Sequence, residues 1–363
     1  MRIKEIDIAR GFTVFIMAAV HAVLIYSTPE VHASWLGDIL FFLAEGPGAP
    51  LFMMVMGISF VLSRKTSVSE RLRRAALLLL LAYVLNFLKF LVPLAAGGIP
   101  QQLLADFGIP PGSAATWHFL LLGDILQLAA IALTVLTLLH CLRNYHYWAM
   151  AIAFIILIVT PFLWQVNSAN PVLNYIFDLL WGFNSRVYFP AFPWLVYPLT
   201  GMAAGYYLQT SPGFFAKARN IGLLLIGTGL IISSFDPAWH WGDFYRTAQG
   251  GTLYYIGFVL LWLYLCHLAV KLLPDNSFFT LLTRLSRHIT RIYLIQWVLV
   301  FWLIGLIGYR QLNIIASLVC IVLITSLVIL IGLLPEKLKK LQLYLSVIHY
   351  KRNKSVPLVQ PPE

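Results

Sequence analysis

Residues 314–334 read IIASLVCIVLITSLVILIGLL, a run with no charge and no proline. About 20 such residues in a helix cross the roughly 30 Å hydrocarbon core of a bilayer, so this segment belongs in lipid. The rest of the chain repeats the signal. Of 363 residues, 60% are hydrophobic and only 11% are charged, and mean hydropathy is +0.83, whereas soluble domains carry about a quarter charged residues. Apolar windows near 8–27, 49–63, 75–95, 117–139, 147–165, 189–208, 220–235, 251–270, 289–307 and 312–334 predict an all-α fold. The architecture expected is a polytopic integral membrane helical bundle of about ten spans.

The formal charge of +11 would suggest a polyanion partner if it formed one solvated patch. It does not: the basic residues sit in short runs between apolar segments. With the N-terminus cytoplasmic, only Arg186, Arg246 and Arg310 of the 25 Lys and Arg residues fall in outer loops, and Lys89 lies inside a span. That asymmetry places both termini in the cytoplasm and makes the excess charge topological, not a nucleic-acid site. The first span lacks a small-residue cleavage site and is expected to stay in place. Short loops and no organellar presequence fit a bacterial inner membrane. Residues 1–335 read as one integral domain without an internal repeat. Residues 336–363 read as a cytoplasmic tail, a basic amphipathic stretch against the inner leaflet followed by a Pro-rich disordered end. Cys141, Cys266 and Cys320 are scattered without paired spacing, so neither a disulfide framework nor a metal site is expected. A homo-oligomer is compatible with a chain of this composition.

Ionisable residues inside a membrane segment are functional candidates by default. The first span holds Asp7, Arg10 and His21. The step from Arg10 to His21 is close to three helical turns, so the two share a face about 16 Å apart along the axis. Arg10 alone reads as a snorkelling anchor paired with Asp7, and His21 alone as a buried interface histidine. Together they line a path for an elongated anion, with a cation at the inner mouth and a near-neutral base further in. Gly11 removes a side chain where another backbone or a bulky ligand approaches. Arg71 and Arg74 project from one face at the start of the third span. They are either a topogenic cluster or a guanidinium pair for phosphate oxygens.

Asp124, with Gln127 on the same face, and Glu45 lie at the depth of His21, and either carboxylate is placed to orient it. The alternative for both is a structural hydrogen bond. Trp117, His118 and the cluster Trp239-His240-Trp241 read as interfacial aromatic belts that also offer stacking surfaces for a sugar, with Asp236, Asp243 and Arg246 beside them. His32 falls in the first outer loop. Tyr293 and Gln296 face either a cavity or a neighbouring helix.

Arg10 followed after ten residues by His21, in the setting Ile6-Asp7-Ile8-Ala9-Arg10-Gly11, with Arg71-x-x-Arg74 downstream, resembles the acyltransferase-3 family of membrane acyltransferases. Pro50-Leu51-Phe52-Met53-Met54-Val55-Met56-Gly57-Ile58-Ser59 resembles the second span of that superfamily and of the heparan-alpha-glucosaminide N-acetyltransferase family. His32-Ala33-Ser34-Trp35, Gly123-Asp124-Ile125-Leu126-Gln127, Phe192-Pro193-Trp194 and Leu199-Thr200-Gly201 are similar to segments of the latter family. The resemblance implies transfer of an acyl group, acetyl above all, from cytoplasmic acyl-CoA to a hydroxyl or amine of a glycan or lipid-linked acceptor on the outer side. It implies CoA phosphates at Arg10, Arg71 and Arg74, a catalytic histidine at His21 or His32, and no metal. A transporter or flippase for a lipid-linked or small anionic substrate is the rival reading, because polar residues along one helix face also describe a permeation path.

Overall fold

The structure, a computed structural model, describes residues 3–63, 66–183 and 186–354, with side chains through residue 334. Arg2, Arg64 and Lys65 of the basic inner set, and the Pro-rich end 355–363, lie outside the described residues.

Among the described residues every named element of secondary structure is a helix. Helix α1 (Lys4–Tyr26) carries Glu5 and Asp7 in its first turn, where carboxylates oppose the helix dipole, and stops at the extended Ser27. Helices α2 (Trp35–Glu45) and α3 (Ala49–Leu62) are separated by Gly46-Pro47-Gly48. Helix α4 (Val68–Asn86) is N-capped by Ser67. It runs on through a π-turn, Phe87–Leu91, to Ala95. The π-turn has a local cause: a proline ring clashes with the carbonyl four residues before it, and Pro93 stands four residues after Lys89.

The fourth predicted window, 117–139, is not one helix. It divides into a short helix Ser113–Leu120 and α5 (Ile125–Leu139), with Asp124 at the break. Helix α6 covers Tyr145–Leu163. The sixth window likewise becomes Ala191–Trp194 and α7 (Val196–Thr210). Then come α8 (Phe214–Phe235), α9 (Gln249–Leu272), α10 (Ser277–Arg287), α11 (Ile289–Trp302) and α12 (Ile314–Lys354). Among the described residues, eight helical segments are long and apolar enough to cross a membrane. The other two predicted spans correspond to the 15-residue helices α5 and α7, about 22 Å each at 1.5 Å per residue. The predicted tail is helical through Lys354, continuous with α12.

Helix α1 runs through the middle of the bundle, packed against α2, α3 and α9 to α12. Helices α3 and α7 lie backbone to backbone. A Cβ at Gly57 would fall 2.0 Å from the Pro198 carbonyl oxygen, and one at Gly201 would fall 2.0 Å from that of Met54. Small residues permit this approach, which is how helices associate where lipid tails compete with side chains. Helices α8 and α12 stay peripheral, with Leu224, Ile231, Val322 and Leu323 exposed, as lipid contact requires. A loop clips the end of α1 near His21: the Arg310 N–H donates to the Ile25 carbonyl, and Gln311 and Leu312 donate to that of Tyr26.

Candidate active site

A cavity of about 440 Å³ opens beside α1, from Thr13 to the level of Arg310. Its walls are largely aromatic, with Phe52, Phe90, Phe119 and Trp297 among them. Its polar groups are few: Thr13, His21, Glu45, Lys89, Asp124, Arg310 and the tyrosines 188, 245, 293 and 309. An apolar cavity with a few convergent polar groups is the usual form of a small-molecule site.

His21 stacks on Trp297, with ring centroids 3.8 Å apart. Its Nδ1 is buried without a hydrogen-bond partner among the described residues. Asp124 and Lys89 are the charges acting on it. Of the two readings the sequence leaves for Asp124, orienting His21 or a structural hydrogen bond, its hydrogen bonds are of the second kind. One Asp124 oxygen accepts from Lys89 Nζ at 2.8 Å, and the other accepts from the Ile125 N–H at 2.8 Å. Asp124 is therefore the N-cap of α5, not a residue two turns inside a helix. Gln127 completes the reciprocal capping box by accepting the Asp124 N–H through Oε1 at 3.0 Å, and its Nε2 donates to the Leu122 carbonyl. Gln127 is thus committed to the backbone and does not line the cavity.

Lys89 is the residue that sequence reading left aside. It is 1% exposed, paired with Asp124, and its ammonium lies 4.5 Å from the Phe90 ring centre and 4.6 Å from that of Trp297. The signal was available, since a charge inside an apolar run is costly unless partnered. Trp297 gave no such signal, because an aromatic within an apolar helix looks like core, and neither did Tyr188, Tyr245 and Tyr309, which fall in connections between helices. Tyr293 faces the cavity and Gln296 does not; the latter is fully buried behind it.

The remaining candidates divide. Glu45 lines the cavity and accepts from the Tyr255 hydroxyl at 3.1 Å. His32 does not reach it: its Nε2 is 2.9 Å from the Val23 carbonyl and its ring packs edge-on to Phe41. Trp117 is 61% exposed, and neither it nor His118 borders the cavity, whereas their neighbour Phe119 does. His240 and Arg246 are buried and structural. His240 Nδ1 accepts the Gly250 N–H, and Arg246 donates to the Gly182 and Val187 carbonyls and to Asp243.

Below the cavity floor, Arg10 stands one turn from Thr13. Its Nε donates to Ser286 at 2.8 Å, with further bonds to Asp7 at 3.0 Å and Ser59 at 3.3 Å. The close approach that Gly11 allows is that of α10, since a Cβ there would lie 2.0 Å from the Leu282 carbonyl oxygen. Helix packing, not ligand contact, thus explains this glycine. Arg71 donates to Thr66 and lies over the Phe60 ring at 4.4 Å, while Arg74 pairs with Glu70. Arg10 and Arg71 so attach to consecutive residues of α3, Ser59 and Phe60, at one end of the bundle.

Residues 2–233 match the family model described as heparan-alpha-glucosaminide N-acetyltransferase, catalytic. That stretch is more than half of the chain and holds Arg10, His21, Lys89 and Asp124. The chain belongs to the heparan-alpha-glucosaminide N-acetyltransferase catalytic family. No curated protein matches it. Membership and the eight apolar helices together make it an integral membrane protein of acetyltransferase type. The cavity wall formed by Tyr293, Trp297, Tyr309 and Arg310 lies beyond the matched residues.

Several family-like motifs have structural duties here. Asp124-Ile125-Leu126-Gln127 is the capping box, Gly57 and Gly201 are the α3–α7 contact, and Trp194 Nε1 donates to the Tyr245 carbonyl at 2.8 Å.

Proposed function

We propose that this protein transfers an acyl group, acetyl in the first instance, from cytoplasmic acyl-CoA to a hydroxyl or amine of a glycan or glycolipid acceptor on the outer side, in a bacterial inner membrane. The observation that carries the reading is His21 in the wall of a deep aromatic cavity, on the same helix as Arg10. The donor phosphates rest at the Arg10 end, where Arg71 and Arg74 add positive charge. The pantetheine arm then rises past Thr13, and the thioester arrives beside His21.

His21 acts as general base. The acceptor oxygen or nitrogen attacks the thioester carbonyl carbon while His21 takes its proton. The tetrahedral centre collapses, the carbon–sulfur bond breaks, and the proton passes to the departing sulfur, giving CoA and the acylated acceptor. Asp124 bears on His21 by charge, and Glu45 with Tyr255 offers hydrogen bonds to an acceptor at the cavity wall. Aromatic walls and tyrosine hydroxyls suit a ring with an apolar face and hydroxyl edges.

The test is release of CoA from radiolabelled acetyl-CoA by the detergent-purified chain, wild type beside His21→Ala, His32→Ala and Arg10→Ala. Loss with His21→Ala but not with His32→Ala supports the assignment. Loss only with His32→Ala moves the base to the loop after α1. A folded wild type that neither binds nor consumes any acyl-CoA leaves the transporter as the better reading.

A further inference from the structure

Lys89 is the least accessible charged side chain lining the cavity, and several separate features hold it there. The π-turn at Phe87–Leu91 sets its position on the helix. Asp124 fixes its ammonium from one side at 2.8 Å, and the faces of Phe90 and Trp297 bound it on others. Trp297 is also the ring on which His21 stacks. One indole therefore touches both the proposed base and a cation that the reaction, as written above, does not use.

We propose that Lys89 is a further catalytic residue, whose ammonium faces the thioester carbonyl oxygen and stabilises the negative charge that develops there as the acceptor attacks beside His21. The proposal rests on the acyl-transfer reading. An ammonium has three donors, of which Asp124 takes one. His21 and Lys89 both line the cavity and both contact the Trp297 ring, so a thioester held beside His21 also lies near the Lys89 ammonium. In a cavity with largely apolar walls a fixed cation acts on a developing oxyanion far more strongly than it would in water. The pair with Asp124 holds the Lys89 ammonium in place before the substrate arrives, so no reorganisation is needed during the step. The developing oxyanion gains its charge from the attacking electron pair and returns it to the carbonyl as sulfur leaves, and Lys89 keeps its proton throughout.

The experiment uses the full chain in detergent with acetyl-CoA as donor and glucosamine as probe amine, following total CoA release. Lys89→Gln keeps a donor for Asp124 but removes the charge; Lys89→Arg keeps the charge. The expected result is a kcat about a hundredfold lower for Lys89→Gln with KM for acetyl-CoA little changed, and substantial activity retained in Lys89→Arg. A folded Lys89→Gln with near wild-type kcat overturns the role, as does a Lys89→Arg that falls as far as Lys89→Gln. If Lys89→Gln does not fold, the wild type decides. Infrared difference spectra of bound carbonyl-labelled acetyl-CoA show the carbonyl band moved to lower frequency if the ammonium faces it, and an unmoved band overturns the role. A wild type that consumes no acetyl-CoA removes the acyl-transfer reading and the role with it. An active wild type with an active Lys89→Gln removes the role alone.

Discussion

The imidazole of His21 lies face to face with the indole of Trp297, with centroids 3.8 Å apart and planes 25° from parallel. His21 comes from α1 and Trp297 from α11, so the stack is also a contact between the family-matched part of the chain and the part beyond it. Stacked aromatic pairs contribute about 0.5–1.5 kcal/mol beyond their buried area. The contact fixes the plane in which the imidazole can accept a proton.

Removing that plane should loosen the base. Trp297→Leu is expected to lower CoA release about tenfold, the rate equivalent of roughly 1.4 kcal/mol, while Trp297→Phe retains most of it. Initial rates on protein matched for folded fraction check this. Equal rates for Trp297→Leu and wild type would show that the stack does not position His21.

Arg10 joins α1, α3 and α10 through Asp7, Ser59 and Ser286, and Ser286 also donates to Asp7 at 2.8 Å. Arg10→Ala removes three hydrogen bonds and leaves the Ser286–Asp7 bond, at a cost of about 2 kcal/mol for losing charged hydrogen bonds. Thermal unfolding in detergent should fall by several degrees, with Arg10→Lys intermediate because it lacks the fork that reaches three partners. An unchanged melting temperature in Arg10→Ala would mean that this network carries no stability.

Gly201→Ala tests the α3–α7 contact. Its Cβ would meet the Met54 carbonyl oxygen at 2.0 Å, and backbone cannot move aside as a flexible side chain can. The expected cost is about 1–3 kcal/mol or more, read as a lower melting temperature and a poorer yield of monodisperse protein. By contrast, Gly227→Ala, on α8 with nothing within 4 Å of the added carbon, should fold as well as wild type.

His240 gives a pH prediction outside the spans. Burial holds it below the ordinary histidine value of 6.5, partly opposed by Asp236, and its Nδ1 must be unprotonated to accept the Gly250 N–H at the start of α9. A depressed folded-state pKa favours the neutral ring. Its stabilising contribution is therefore complete above 6.5 and is lost as pH falls below that value towards the depressed one. Melting temperature should drop between pH 7 and pH 5, and drop less in His240→Asn. Parallel profiles for the two proteins would rule out His240 as the source.

Much of the site's chemistry was legible as charge in the wrong place. Asp7, Arg10, His21, Lys89 and Asp124 are conspicuous because an ionisable group in an apolar run needs a partner or a cavity. What each partner would be was not legible. Helical spacing put Asp124 inside a continuous span, whereas its extended backbone makes it an N-cap that starts α5. The sequence of that stretch supports both readings, since Asp followed three residues later by Gln is a capping signature and also a one-face pair. Gly11 shows the same limit: a missing side chain announces close approach without saying of what.

The sequence by itself determined that the chain lives in lipid, that it is helical, and that its basic residues sit in short runs between apolar segments. Those are consequences of local composition and of the energy of apolar transfer, which any residue run expresses without its neighbours. Tertiary structure alone decided that Lys89 meets Asp124, that Trp297 meets His21, and that Arg10 is bound to two other helices. These pairings join residues 35, 276 and 49 positions apart or more. Which helix faces which is fixed by small residues such as Gly57 and Gly201 and by the break at Asp124. In a chain whose every span is apolar, hydrophobic pattern cannot choose among faces, so close packing and satisfied polar groups must.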